Sequence, residues 1–110
     1  INGYFNKNYY PQIDIAVKMA KFFDCSLDYL FGLSDSKNNN HKNSNTFIEN
    51  FKKVLDENNI SVYSAMKLLG KSEYDFYRWK NRLFPKTLNL LDIAKTFDVS
   101  LDFLVGDKLI

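Results

Sequence analysis

The chain has 110 residues, room for one ordinary domain or for a small domain beside a fragment. Hydrophobic residues make up 45% and charged residues 25%, the balance of a soluble globular protein, and no apolar run nears the roughly 20 residues that span a bilayer. One cysteine (Cys25) and one histidine (His41) exclude an internal disulfide framework and supply no metal-ligand cluster, and a net charge of only +2 means that any nucleic-acid surface must come from local arrangement of charge.

Taken in chain order, the first element is a helix with one apolar stripe, Ile13, Val17, Ala20 and Phe23. Asp-Cys-Ser ends it. Ser26 is placed to cap a short helix over 27–31, and Gly32 stands where a helix end takes a positive φ. From Ser34 to Thr46 the sequence SDSKNNNHKNSNT has no apolar residue, and five of the residues from Asn38 to Asn45 are Asn. It cannot offset its ordering entropy by burial, so a linker over 34–45 is expected, with His41 as a solvated residue of it.

Phe47, Phe51, Val54 and Leu55 then predict a helix over 46–58, stopped at Asn58-Asn59. Ser61 caps a second helix in which Tyr63, Met66 and Leu69 are apolar, and Gly70 ends it. Ser72 caps a third, with Asp75 as capping-box partner and Phe76 and Trp79 facing inward. Pro85 and Thr87 open a fourth, whose stripe is Leu90, Ile93, Ala94 and Phe97. Ser100 caps a fifth over 101–105, closed by Gly106. Nothing reads as a strand, so the fold class is all-α.

The two ends of this series repeat. Residues 20–32 read AKFFDCSLDYLFG and residues 94–106 read AKTFDVSLDFLVG, with nine of thirteen positions identical at an offset of 74. The same offset superposes Pro11 on Pro85. Cys25 matches Val99, which marks it as a small hydrophobe of the core. Asp28 and Asp102 are expected in the first turn of their short helices, where negative charge is favourable. The stripe Ile13, Val17, Ala20 and Phe23 must pack either on residues 46–110 or on another chain.

Five short helices in this order, with a Gly-containing turn between the second and third, resemble the lambda-repressor-like (Cro-type, XRE) helix-turn-helix family. The residues that carry the resemblance are Ile60-Ser61, Leu69-Gly70, Ser72, Phe76, Arg78-Trp79, Asn81, Pro85, Ile93-Ala94-Lys95 and the run Val99 to Gly106. The resemblance implies a complete five-helix domain at 46–110, and at 1–33 the C-terminal part of a preceding unit. Ile1 to Asn6 resemble the last turns of a third helix, with Ile1 and Tyr4 in the places of Phe76 and Trp79, which points to a tandem protein whose N-terminal part precedes Ile1.

The resemblance further implies that helix 72–82 enters the major groove of double-stranded DNA, with phosphate contacts fixing its register. Carried over by position, Glu73, Tyr74 and Arg78 face bases, Tyr77 reaches the groove wall and Asn81 contacts phosphate. Ser72 lies at the start of this helix within the same DNA-binding set. Lys71, Lys80, Arg82 and Lys86 supply positive charge. Arg78 is the expected guanine contact, since its fork takes O6 and N7 together, and Glu73 can accept from a cytosine amino group.

These readings converge on a DNA-binding transcriptional regulator, cytoplasmic, without a cofactor or an evident small-molecule substrate, acting as a homodimer through residues 1–33. The departures from the family pattern support a second reading. Val62 occupies the place of a phosphate-contacting Gln, and Glu73 and Asp75 put carboxylates where a polyanion should approach. On that reading the scaffold has lost DNA binding and serves as a protein-interaction module. Arg78 then pairs with Asp75, three residues earlier on the same helix face. An enzyme is not expected, because no nucleophile sits with a base and there is no glycine-rich phosphate loop.

Overall fold

Hydroxyl and carboxylate side chains set most of the helix starts in this chain. The computed structural model describes residues 10–34, 45–81 and 84–106, and these residues form seven helices and no strand. The expected structure of 1–6, most of the linker, and Arg82 lie outside the described residues. The first two helices are α1 (Ile13–Phe23) and α2 (Leu27–Leu30). Then come α3 (Phe47–Glu57), α4 (Val62–Leu68), α5 (Glu73–Lys80), α6 (Thr87–Phe97) and α7 (Leu101–Val105).

Thr46 and Glu49 form a capping box at the start of α3: the Thr46 N–H donates to Glu49 Oε1 at 2.8 Å, and the Glu49 N–H to Thr46 Oγ1 at 3.3 Å. Ser61 accepts from the Ser64 N–H, Ser26 from Tyr29 and Ser100 from Phe103. The three serine caps are those that the sequence predicts; the Thr46–Glu49 box is an addition. The fourth start also falls at the predicted place: Thr87 is the first residue of α6, Lys86 is its cap, and the Thr87 hydroxyl donates to the Pro11 carbonyl at 2.7 Å.

Four of the described helix ends share one device. After α4, the Gly70 N–H returns to Lys67 and the Lys71 N–H to Met66 at 2.8 Å, with Gly70 at φ 71°. Asn59, at φ 53°, closes α3 in the same way. Asp24 and Asp98, at φ 53° and 52°, take equivalent places after α1 and α6. A Cβ on Gly70 would meet nothing within 4 Å, so its only penalty is conformational. Gly70→Ala is therefore expected to lower stability by about 1–2 kcal/mol in urea denaturation, with Gly70→Asn milder than Gly70→Ala.

The core of the second half is aromatic. Phe47 and Phe51 stack on α3 with ring centroids 5.6 Å apart, and Trp79 stands edge-on to both. Phe76 lies 6.1 Å from Phe51, and Phe84 lies 5.6 Å from Phe47. The α3 stripe is the predicted one, with a fully buried polar residue added. Asn50 donates to the Leu104 carbonyl at 3.3 Å and so ties α3 to α7. In α4, Ala65 and Met66 point inward while Tyr63 is exposed, which corrects the expected place of Tyr63 in the apolar set.

α2 and α7 meet through their starts. Asp102 accepts from the N–H groups of Leu27 (2.8 Å) and Asp28 (3.0 Å), and Asp28 accepts from Leu101 (2.7 Å). With the repeat offset of 74, Leu27 is the counterpart of Leu101 and Asp28 of Asp102. The exchange is thus isologous, each copy serving the other, as across the two-fold axis of a dimer. The two aspartates do sit in first turns, as expected, but each donates its charge and acceptors to the neighbouring helix. Residues 13–31 pack on the second half of their own chain, within one hydrophobic core.

Candidate nucleic-acid interface

The local sequence decides how α5 is presented. Gly70 turns the chain out of α4, and Ser72, extended at φ −107°, starts α5 with its N–H held by Asp75 Oδ2 at 3.2 Å. Phe76 and Trp79, three residues apart, are buried against the α3 aromatics. This fixes the rotation of the helix, and Glu73, Tyr74, Tyr77, Arg78 and Lys80 are exposed.

Helical spacing sorts the exposed side chains into two rows, Glu73-Tyr77-Lys80 and Tyr74-Arg78-Asn81. Asn81 is the C-cap of α5, its N–H donating to the carbonyls of Tyr77 (3.0 Å) and Arg78 (3.2 Å), and its exposed side chain continues the second row. The structure thus brings together on one helix Glu73, Tyr74, Tyr77, Arg78, Lys80 and Asn81, with Ser72 at its start. Lys71 lies in the turn, half-buried, and Lys86 is exposed at the start of α6; both stand outside the two rows.

Arg78 is held at its base. Its Nη1 lies 3.8 Å from Asp75 Oδ1, and its guanidinium lies 6.0 Å from the centre of the Tyr74 ring. Both contacts are exposed, so each contributes little to stability. They bias the rotamer of a long side chain, which lowers the entropy lost when the fork engages a ligand. Asp75 thereby carries two tasks, one oxygen on the Ser72 N–H and the other toward Arg78. The ion pair that the sequence offers as an alternative for Arg78 is present.

One feature of the face is not in the expected set. Lys67 on α4 lies 6.0 Å from the Tyr63 ring centre, a second cation over an aromatic ring on the helix that precedes the turn. The signal for it is the four-residue spacing of Tyr63 and Lys67, masked by counting Tyr63 among the apolar residues.

Among the described residues no group of three or more His, Cys, Asp or Glu is placed to hold a metal ion. Cys25 is half-buried against the core. Among the same residues no helix is long and apolar enough to cross a membrane. The exposed face of α5 carries cations, aromatics, an amide and the acid Glu73. No protein-family model matches the chain, and neither a curated protein nor a solved structure is significantly similar to it.

Proposed function

We propose that this chain is a sequence-specific, double-stranded-DNA-binding transcriptional regulator of the lambda-repressor-like helix-turn-helix kind, reading the major groove with α5. The observation that carries the reading is the division of α5. Its aromatic side is locked into the core, while Arg78, Lys80, Asn81, Tyr74 and Tyr77 project on a helix whose width suits the groove. On this reading α4 crosses the backbone, with Lys67 and Lys71 toward phosphate, and Arg78 takes a guanine.

The test is a binding-site selection followed by anisotropy titration of the selected duplex. Arg78→Ala is expected to weaken binding by about 1–3 kcal/mol and to relax preference at one base pair. Equal loss on every duplex would make Arg78 a phosphate contact. Lys67→Ala is expected to weaken all duplexes alike and to make binding less sensitive to salt.

The exposed Tyr63, Leu68, Tyr74 and Tyr77, with Glu73 among them, favour the second reading, a protein-interaction module. A gel shift on random duplex at low salt separates the two, because a DNA reader retains non-specific affinity there and a protein-binding ridge does not. A homodimer through residues 1–33 has the outer face of α1 left to it, since α2 is engaged with α7 of its own chain.

A further inference from the structure

The seat that α2 takes on α7 can be compared with α7 itself, because the repeat makes one helix the counterpart of the other. A short set of groups builds the contact. The Leu27 and Asp28 N–H groups donate to the Asp102 carboxylate, and the Leu101 N–H donates to Asp28. Alongside, the Thr87 hydroxyl donates to the Pro11 carbonyl. Leu27, Leu30, Leu101 and Leu104 are buried within the one core. Every group that the first copy brings recurs in the second at the offset of 74: Pro11 as Pro85, Leu27 as Leu101, Asp28 as Asp102 and Leu30 as Leu104. Ser26, which accepts from the Tyr29 N–H, recurs as Ser100, which accepts from Phe103. Where residues 26–32 and 100–106 differ along the short helix, the second copy has the smaller side chain, Phe103 for Tyr29 and Val105 for Phe31. A surface that accepts α2 therefore meets the same donors and acceptors in α7, with no added bulk on the short helix.

We infer that α7 carries a self-complementary surface whose alternative occupant is α7 of a second copy of this chain, and that α2 is the in-chain occupant that keeps it filled. In the pair, each Asp102 carboxylate accepts from the Leu101 and Asp102 N–H groups of the other chain. Each Thr87 hydroxyl finds the other chain's Pro85 carbonyl in the place of Pro11. Such an isologous pair closes at two chains. The tether decides which occupant wins. A segment of the same chain competes at an effective concentration on the order of millimolar, so a second copy at micromolar concentration is kept out until α2 is weakened.

The test weakens α2 in the full chain. Leu27 is 4% exposed, so Leu27→Arg puts a charge where α2 is buried and releases it from α7. It also bars exchange of α2 between chains, because the altered helix fits neither seat. In sedimentation over a range of concentrations, Leu27→Arg is expected to show a doubling of mass that the wild type lacks over the same range. The Leu101 amide is expected to gain protection from hydrogen exchange as the dimer forms. Adding Asp102→Ala is expected to abolish the doubling and to leave Trp79 fluorescence as it is in Leu27→Arg, since α2 no longer uses that carboxylate once released. Should Leu27→Arg fail to fold, Asp28→Ala is the milder variant. It takes the acceptor from Leu101 on the α2 side alone, and is expected to double in mass at a concentration about tenfold below that of the wild type.

Folded Leu27→Arg and Asp28→Ala proteins that both keep the wild-type mass overturn the inference. So does a doubling that survives Asp102→Ala, or one that the wild type shows at the same concentrations, since the association then uses another face. None of these readouts involves DNA, so a failure of DNA binding bears on the proposed function alone.

Discussion

Asp102→Ala is expected to destabilise the chain by about 2–4 kcal/mol, because it strips the acceptors from two backbone N–H groups, each costing about 1–3 kcal/mol when left unsatisfied away from water. Those groups belong to Leu27 and Asp28, in the other copy of the repeat. Leu27 is buried and Asp28 half-buried, so water replaces the lost carboxylate poorly. The carboxylate also interacts favourably with the dipole at the start of α2. Asp102→Asn keeps one acceptor oxygen and is expected to recover roughly half of the loss. Urea denaturation of the three proteins checks the order. If the two variants were equally harmful, charge at that helix start would outweigh the two hydrogen bonds. Hydrogen exchange adds location: the amides of Leu27 and Asp28 lose protection in Asp102→Ala, although the substitution lies 74 residues along the chain from Asp28.

Phe51→Ala is expected to be the most damaging single truncation in the second half, at about 3–5 kcal/mol. Phe51 is fully buried and touches three other rings: Phe47 stacked on it, Phe76 tilted and Trp79 edge-on. Removing it takes away the transfer energy of a large side chain, leaves a cavity, and breaks three aromatic contacts. A small domain has about 5–15 kcal/mol in all, so the variant is expected near the limit of folding. Tryptophan fluorescence against denaturant reads the loss, since Trp79 reports on the same cluster. Phe51→Leu, which fills most of the space, is expected to retain the cooperative transition. The consequence for the ridge is direct, because Phe76 and Trp79 seat α5 on α3. A protein with this cluster loosened is expected to lose affinity for every duplex equally, unlike Arg78→Ala.

Much of this architecture was legible because it is local. Ser26, Ser61 and Ser100 cap the helices they precede in sequence, and Gly70 turns the chain where the apolar stripe of α4 stops. Phe76 and Trp79 could be placed inward from spacing alone, and that placement determines which α5 residues are exposed. The features that stayed hidden are long-range. Nothing near Asp102 distinguishes a carboxylate that serves its own helix from one that serves a helix in another part of the chain. Asn50 carries no sequence signal of its own, and its burial follows from the Leu104 carbonyl, which lies in α7. Thr87 opens its helix as read, but its hydroxyl bond to the Pro11 carbonyl joins residues 76 apart and has no local signal. Tyr63 misled for a different reason. In a seven-residue helix the inward side is narrow, and Ala65 and Met66 fill it.

The reciprocal bonds between α2 and α7 bear on how the two copies can diverge. After a duplication, most positions of the two halves are free to drift apart, and Phe22 against Thr96 or Ile15 against Asn89 show that they have. Ser-Leu-Asp stands unchanged at 26–28 and at 100–102. A substitution of either aspartate removes acceptors from the other copy, so its cost falls on a helix start of the twin. The exchange thus works as a mutual lock on change at Asp28 and Asp102.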